Sequence, residues 1–327
     1  GRGGGSELNG ADDEASRTSL QAQKACLEAM RPALKALDAL AKHQILRPAM
    51  QAMAAALESR LVLVHKDHFG GDGAQDQART GVGAGMADES SAYIAGFEAA
   101  LGGLLQEHIS RMPHDSPFVA KALKELAARL VRSYVSHVAL VRPLSEAGRL
   151  RMAQDMASFE MAVSQISKVS ELGRSYAELR AFRQLLFLGE QREAPTVAAL
   201  LHQTVSDALR PSTITNHCFT QAPQTLSSPH DHLRVSHKAY VEWLVVGVPL
   251  PPPCPPVRPP PMAVLANIPA DSGAAREACA WAAAQSSLDA YAQRCSAEHV
   301  APEEVYVAMS AGGPPLVEGY LANYGRK

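Results

Sequence analysis

The sequence has little of what marks several common protein classes. Only 5% of its 327 residues are aromatic, and no apolar run approaches the ~20 residues needed to span a bilayer. Its five cysteines are widely spaced and form no CxxC pair, which indicates reduced thiols in a cytosolic compartment. The formal net charge is −2 with both signs mixed along the chain, so electrostatics favours neither nucleic acid nor an anionic membrane as a partner.

Strand-like alternation and proline are both missing from the middle of the chain. No proline occurs between Leu144 and Ala194, and apolar residues recur there at helical spacing. With Ser145 as a cap and Gly189 as a stop signal, this predicts one helix from Ser145 to Leu188, roughly 65 Å long. The predicted fold is therefore all-α, an elongated helical bundle or rod. The apolar stripe consists of Met152, Met156, Phe159, Val163, Ile166, Val169, Leu172, Tyr176 and Leu179.

The apolar stripe drifts around the predicted helix in its second half, which indicates a change of packing neighbour part-way along. The first face, up to Ile166, is expected to bury against helices of the same chain. The later face, from Val169 to Leu179, is expected to meet either another helix of this chain, which we favour, or another subunit.

Composition and helical spacing divide the chain into seven segments. They are a disordered N-terminal segment (1–17), a helical segment (18–69), a Gly-rich linker (70–87), a main helical bundle (88–245), a Pro-rich linker or gene-model insertion (246–272), a C-terminal helical segment (273–310) and a tail (311–327). The chain begins Gly1-Arg2-Gly3 without a methionine. We therefore expect it to be a fragment of a longer protein.

Prolines and a capping pair set the helix ends that are predicted in the first half. Pro32 and Pro48 each end or kink a helix. Ser116 and Pro117 open another helix as its N-cap and first-turn residues. The apolar residues that are expected to pack are Leu34, Leu37 and Ala41 on one face, Met50, Met53, Leu57, Leu61 and Val64 on a second, and Val119, Leu123, Leu126, Leu130, Tyr134, Val135 and Val138 on a third.

Prolines also punctuate the last third of the chain. Pro211 is predicted to end a short helix over 197–209, and another helix is expected over 233–244. The run from Pro249 to Pro261 predicts a polyproline II segment. A long helix is then expected over 273–298, followed by a short segment from Pro302 to Met309. The inward positions expected in the long helix are Cys279, Ala283, Leu288 and Tyr291.

Two groups of histidines are the candidates for a metal site. His65 and His68 stand three residues apart, but a solvated helix end explains this pair better than a site with only two ligands. The denser group consists of His217, Cys218, His230, Asp231, His232 and His237. It lacks the paired spacing of zinc ligands. We therefore predict no metal, no cofactor and no catalytic residues.

Three other motifs have simple structural interpretations. The Gly81–Gly85 stretch has no preceding strand and no following Lys-Ser/Thr pair, so a linker is favoured over a phosphate loop. Glu303 and Glu304 are adjacent and point to different sides of a helix, which favours a surface role over paired catalysis. A basic cluster at the end of the long helix complements its negative end. That cluster is Arg174, Arg180 and Arg183.

Two phrases in the central stretch carry a resemblance to a known family. The first is YVSHVALVRPLSEAGRLR over 134–151, and the second is LGRSYAELRAFRQLLF over 172–187. Shorter phrases follow in the same order, namely FTQAP at 219–223, LSSP at 226–229, WL at 243–244, LDAY at 288–291 and AP at 301–302. Together they resemble the C-terminal part of the fifth subunit of the conserved oligomeric Golgi complex. The proline run departs from the family pattern.

The resemblance implies a helical tethering subunit and no enzyme. The implied complex lies peripherally on the cytosolic face of the Golgi, where it captures vesicles in retrograde intra-Golgi transport. The implied partners are the other subunits, especially the seventh, with SNAREs and Rab GTPases as further candidates. Two alternatives come from the residues themselves. One is a helical adaptor that presents the proline run, with Arg258, to an SH3-like domain; the other is a metal-dependent helical enzyme using the 217–237 group.

Overall fold

The computed structural model describes residues 8–70, 91–187, 208–221 and 226–324, without 253, 255–256, 263–264 and 267. Within these ranges the chain forms helices and turns and no β-strand, which confirms the predicted all-α class. The α-helices are α1 (Leu8–Ala39), α2 (Arg47–Leu61), α3 (Ala92–Glu107), α4 (Pro117–Val138), α5 (Glu146–Ser164), α6 (Arg174–Leu185), α7 (Pro211–Thr220), α8 (Pro229–His232), α9 (His237–Val245), α10 (Gly273–Glu298) and α11 (Glu304–Tyr324). A π-helix (Leu40–Leu46) joins α1 to α2, and 3₁₀ turns lie at Val62–Lys66, Ile109–Arg111 and Val169–Leu172.

The single long helix predicted from Ser145 to Leu188 is wrong, because α5 ends at Ser164 and α6 begins only at Arg174. The chain turns at Gly173, whose φ of +57° and ψ of −121° are far from helical values. Glycine reaches such a conformation without the steric cost that a side chain would bring. The turn lets both halves of the apolar stripe reach one core, so Leu172 and Leu179 on the later face are buried within this chain. The favoured intrachain neighbour is thereby confirmed.

Helix α4 lies at the centre of the core. It packs against α2, α6 and α9, and every inward position predicted for it is buried. Aromatic rings fill the space between α3, α4 and α5: the Phe159 centroid lies 4.1 Å from that of Tyr134 and 5.1 Å from that of Phe97.

The predicted cap of α5 is confirmed, since Ser145 Oγ accepts a hydrogen bond from the Gly148 N–H at 3.0 Å. Ser116 occupies the predicted N-cap position of α4 without a side-chain bond.

Helix α1 corrects two predictions for the N-terminal region. The helix begins at Leu8, within the stretch predicted to be disordered, and it continues through Pro32, so of the predicted end or kink at this proline the end is wrong. Disorder is expected from the Gly-rich and acidic composition of this stretch, but a helix satisfies its backbone groups internally. A proline removes only one of those hydrogen bonds, so the turns on either side persist. Pro48 does coincide with a boundary, because it lies in the first turn of α2.

The C-terminal region also differs from the prediction. Pro211 begins α7, in the first-turn position where its missing N–H costs nothing. The helix expected over 233–244 begins at His237. The expected tail beyond 310 is instead part of α11, because Val317 and Leu321 are fully buried one turn apart. Helix α10 has the predicted bounds, with Ala283, Leu288 and Tyr291 buried and Cys279 half-buried.

The proline run lies against the core in its described part. Residues there form neither helix nor strand. Leu250 packs on the cluster around Tyr240, and just after the run Met262 and Leu265 pack on the main core. The predicted Gly81–Gly85 linker, the helix over 197–207 and the Gly189 stop signal lie outside the described residues. In the part of the chain that is described, no helix combines the length and apolarity needed to cross a membrane.

Candidate functional site

Four histidines from distant parts of the chain meet at one place. His65 Nε2 lies 3.1 Å from His137 Nδ1. The His65 ring stacks on that of His237 with centroids 3.7 Å apart, and the His237 centroid lies 4.0 Å from that of His230. This histidine cluster, made of these four residues, joins the turn after α2 to the end of α4, to α8 and to the start of α9.

Local structure sets each ring in place. Val64 is fully buried and anchors the 3₁₀ turn that carries His65. His237 begins α9 directly after Ser236, whose Oγ caps the helix by accepting from the Ala239 N–H at 3.2 Å. In α8, His230 Nδ1 lies 2.9 Å from Ser228 Oγ. The cluster therefore depends on ordinary caps and core contacts of several elements.

Burial keeps these imidazoles neutral. Desolvation, together with repulsion from the neighbouring histidines, lowers the pKa of His65 to about 2 and that of His137 to about 3. Desolvation and repulsion from His237 lower the pKa of His230 to about 4, and desolvation lowers that of His237, although the carboxylate of Asp231 opposes both shifts. At neutral pH the cluster is thus an uncharged stack of aromatic rings inside the fold.

A cavity of about 540 Å³ lies beside the cluster. Its walls include the rings of three cluster histidines together with Arg142 and Asp231. Arg142 Nη1 donates a hydrogen bond to the Leu226 carbonyl oxygen at 2.6 Å, which fixes this wall to the chain before α8. Among the described residues, no group of three or more His, Cys, Asp or Glu side chains is arranged to hold a metal ion. The absence of bound zinc remains a prediction.

The structure separates the histidine groups that looked related in the sequence. Both His65 and His68 are predicted to be solvated. His65 is instead half-buried, whereas His68 is exposed. His217 and Cys218 are buried in the core on α7, with the His217 ring 5.5 Å from that of Phe182. His232 is exposed, so only His230, Asp231 and His237 of the 217–237 group come together. His137 was not among the sequence-based candidates.

Two of the three arginines contact another helix, and Arg183 also lies in the last turn of α6, where a cation complements the negative helix end as predicted. Arg183 Nη2 donates to Glu160 Oε2 at 2.8 Å, which joins α6 to α5. The guanidinium of Arg174 lies 4.8 Å from the centroid of the Tyr320 ring in α11. Because Arg174 is the first residue of α6, the prediction that it complements a helix C-terminus is wrong. Glu303 and Glu304 are exposed, which confirms their predicted surface position.

A second candidate site is the surface of α1. From Thr18 onward every described side chain of this helix is exposed. The face predicted to pack through Leu34 and Leu37 is therefore exposed, and that expectation is wrong within this chain. The large apolar side chains on this surface are Leu20, Leu27, Met30, Leu34 and Leu37.

Curated proteins from a plant, a mouse and a fly resemble this chain, and each is named conserved oligomeric Golgi complex subunit 5. The Arabidopsis thaliana protein is 32% identical over 209 residues, which are 60% of this chain and 23% of that protein. The Mus musculus protein is 30% identical over 214 residues, 65% of this chain and 24% of its own length. The Drosophila melanogaster protein is 32% identical over 150 residues, 43% of this chain and 19% of its own. The chain is similar to a part of this subunit.

The relationship to the fifth subunit confirms the family resemblance seen in the sequence. The chain spans about a quarter of the length of the curated subunits from plant and mouse that it matches. No family model matches the chain. No solved structure matches it either.

Proposed function

We propose that this chain acts as a helical scaffold within a Golgi vesicle-tethering complex, as part of its fifth subunit. The observation that carries the proposal is the similarity to curated fifth subunits from a plant, a mouse and a fly. The all-α architecture supports it, because a bundle of packed helices presents long surfaces to other helical chains.

The finer proposal concerns where the complex works and what it binds. We place the chain peripherally on the cytosolic face of the Golgi, in retrograde intra-Golgi transport. Its proposed partners are the other subunits of the complex, the seventh foremost, with SNAREs and Rab GTPases as trafficking factors. The proposed role is assembly, without a chemical step on a substrate.

Affinity purification of the tagged chain from cells tests this proposal. We expect mass spectrometry to show enrichment of the other subunits of the complex, with the seventh among the strongest. A chain carrying Phe159→Ala is the matched control, because loss of this core ring should unfold the bundle and reduce the enrichment. A folded wild-type chain that captures none of these subunits would contradict the proposal.

Deletion of residues 249–261 in the same experiment distinguishes the scaffold from the alternative of an adaptor that presents the proline run. A scaffold keeps its complex subunits if the shortened chain still folds, as a circular dichroism melt will show. An adaptor would instead lose SH3-containing proteins and retain no link to the Golgi complex.

A further inference from the structure

The exposed apolar residues of α1 form a regular seam. Leu20, Leu27, Met30, Leu34 and Leu37 are each between 50% and 70% exposed. Their spacing is seven, three, four and three residues, which matches the a and d positions of a heptad repeat with Gln23 as the remaining d residue. Pro32 falls at position f, on the side away from the seam. The seam runs for roughly 25 Å at about 1.5 Å per residue.

Within the part of the chain that the structure describes, nothing covers this seam. Helix α1 packs appreciably only on the π-helix that follows it. Intrinsic propensity alone gives a helix little stability in water, and most helices gain theirs by burying an apolar face. A continuous exposed apolar face of this kind marks an interaction surface.

The charges beside the seam indicate what kind of helix fits it. In a two-stranded coiled coil, positions e and g flank the seam and select the partner. The e positions are Lys24, Arg31 and Asp38, and Asp38 Oδ2 already pairs with Lys42 Nζ at 2.7 Å. The g positions hold Ser19, Cys26 and Ala33, which carry no acidic group. The charged side chains beside the seam that remain for a partner are therefore the cations Lys24 and Arg31.

A second copy of the chain is a poor match for this pattern. Antiparallel copies that pair Leu20 with Leu37 would bring Lys24 of one copy beside Arg31 of the other, and like charges across a seam are unfavourable. Parallel copies would place the same two cations opposite Cys26 and Ser19, with no opposite charge to meet. A partner with acidic flanking residues meets both cations favourably.

A groove continues the surface beyond the end of α1. Lys42, bonded to Asp38 of α1, also lies over the ring of Phe118 with its Nζ 5.7 Å from the centroid. Phe118 lines a groove of about 580 Å³ between the π-helix, α2 and α4, together with Met50 and the basic Arg47. A partner helix that lies along the seam would therefore contact this apolar and positively charged groove at one end.

We propose that the α1 seam binds an amphipathic α-helix of a different polypeptide as a two-stranded coiled coil, with acidic residues flanking the apolar face of that partner. The inference rests on the proposed scaffold function, because it names the kind of neighbour that the scaffold receives. It adds the surface of this chain that makes the contact and the chemistry that selects the partner.

Two synthetic peptides, each four heptads long, test the proposal. Both carry leucine at a and d, and they differ only in having glutamate or lysine at e and g. Fluorescence anisotropy with the purified 327-residue chain, at physiological salt, should show the glutamate peptide binding at least about tenfold more tightly. Lys24→Glu with Arg31→Glu should reverse this preference, and Leu27→Asp with Leu34→Asp should abolish binding of both peptides.

Met161→Asp is the matched control, because Met161 is an exposed apolar residue on α5, outside the seam. This variant should bind the glutamate peptide as the wild type does, and melts of all variants should coincide since α1 is not part of the core. Equal binding of the two peptides, or binding that survives Leu27→Asp with Leu34→Asp, would overturn the proposal. So would a dimer in light scattering that these two changes dissociate, since the occupant would then be a second copy.

The seam proposal and the proposed scaffold function can fail independently of each other. If the Leu27→Asp, Leu34→Asp chain still co-purifies with every Golgi complex subunit that the wild type captures, the seam proposal fails and the scaffold proposal stands. If the wild-type chain binds the glutamate peptide but captures no such subunit, the scaffold proposal fails and the seam proposal stands. A chain extended to the full length of its relatives that rejects the peptide would assign the seam to the same polypeptide and overturn the proposal.

Discussion

Arg210 Nε donates a hydrogen bond to Glu178 Oε1 at 2.7 Å, and both side chains are buried. The guanidinium also donates from Nη2 to Ser136 Oγ at 2.9 Å, while Thr213 Oγ1 donates to the same Glu178 oxygen at 3.0 Å. Burial alone would lower the pKa of Arg210, but Glu178 and Glu277 raise it above its usual value. One ion pair therefore holds α4, α6 and α7 together.

Breaking this pair should be costly, because the residue left behind is a buried charge without its partner. We expect Glu178→Leu or Arg210→Met alone to lower the free energy of unfolding by about 3–5 kcal/mol. The double variant should lose less than the sum of the two, because no charge is left unpaired. Urea unfolding of all four proteins measures the coupling. Strict additivity would show that the pair does not act as a unit.

The histidine cluster predicts that stability falls with acidification. In the unfolded chain a histidine takes up a proton near pH 6.5, whereas His137 and His230 in the fold stay neutral until about pH 3 and 4. Below pH 6.5 the unfolded state therefore binds more protons. The free energy of unfolding should fall by up to about 1.4 kcal/mol per pH unit for each such histidine.

Urea unfolding at pH values from about 7.5 to about 5 measures this slope. That range includes the pKa of an ordinary histidine and stays above the pKa of most carboxylates. His137→Gln should flatten the slope, because one buried titrating group is removed. His68→Gln is the matched control, since His68 is exposed and is not one of the four cluster histidines. A His137→Gln slope equal to that of the wild type would contradict the expected role of the cluster.

Phe159 should be among the most costly core residues to truncate. Its ring is fully buried between Tyr134 and Phe97. Phe159→Ala should lower the free energy of unfolding by about 3–5 kcal/mol, through lost transfer energy and a cavity. Met161→Ala on the same helix is the control, because Met161 is exposed and should change stability by less than about 0.5 kcal/mol. Similar melting temperatures for the two variants would contradict the packing of α5.

Gly313 should not tolerate a side chain. A Cβ at this position would lie 1.9 Å from Cη2 of the Trp281 ring, which α10 presents to α11. Gly313→Ala should therefore destabilise the fold by about 1–3 kcal/mol. In the same helix a Cβ on Gly319 meets nothing within 4 Å, so Gly319→Ala should be neutral or stabilising by up to about 1 kcal/mol. In thermal melts, Gly313→Ala should lower the melting temperature, whereas Gly319→Ala should leave it unchanged or raise it.

Much of the helical content could be predicted from the residues alone. The inward face of α4, the bounds of α10 and the Ser145 cap follow from spacing and side-chain chemistry that act within a few residues. The phrase around Arg142 also indicates the family, because a run of residue types in a fixed order can be compared directly with those of relatives. These features are local, so the sequence contains all the information that they need.

The turn at Gly173, the histidine cluster and the free face of α1 were decided by tertiary structure. A helical apolar period looks the same on both sides of a sharp turn, so it could not show that α5 and α6 are separate helices. His65 and His237 stack although they are far apart in sequence, because α2, α4 and α9 converge. Likewise, the stripe of α1 has the pattern of a buried face. Only the arrangement of the other helices shows that nothing within the described chain covers it, since burial depends on neighbours and not on the stripe itself.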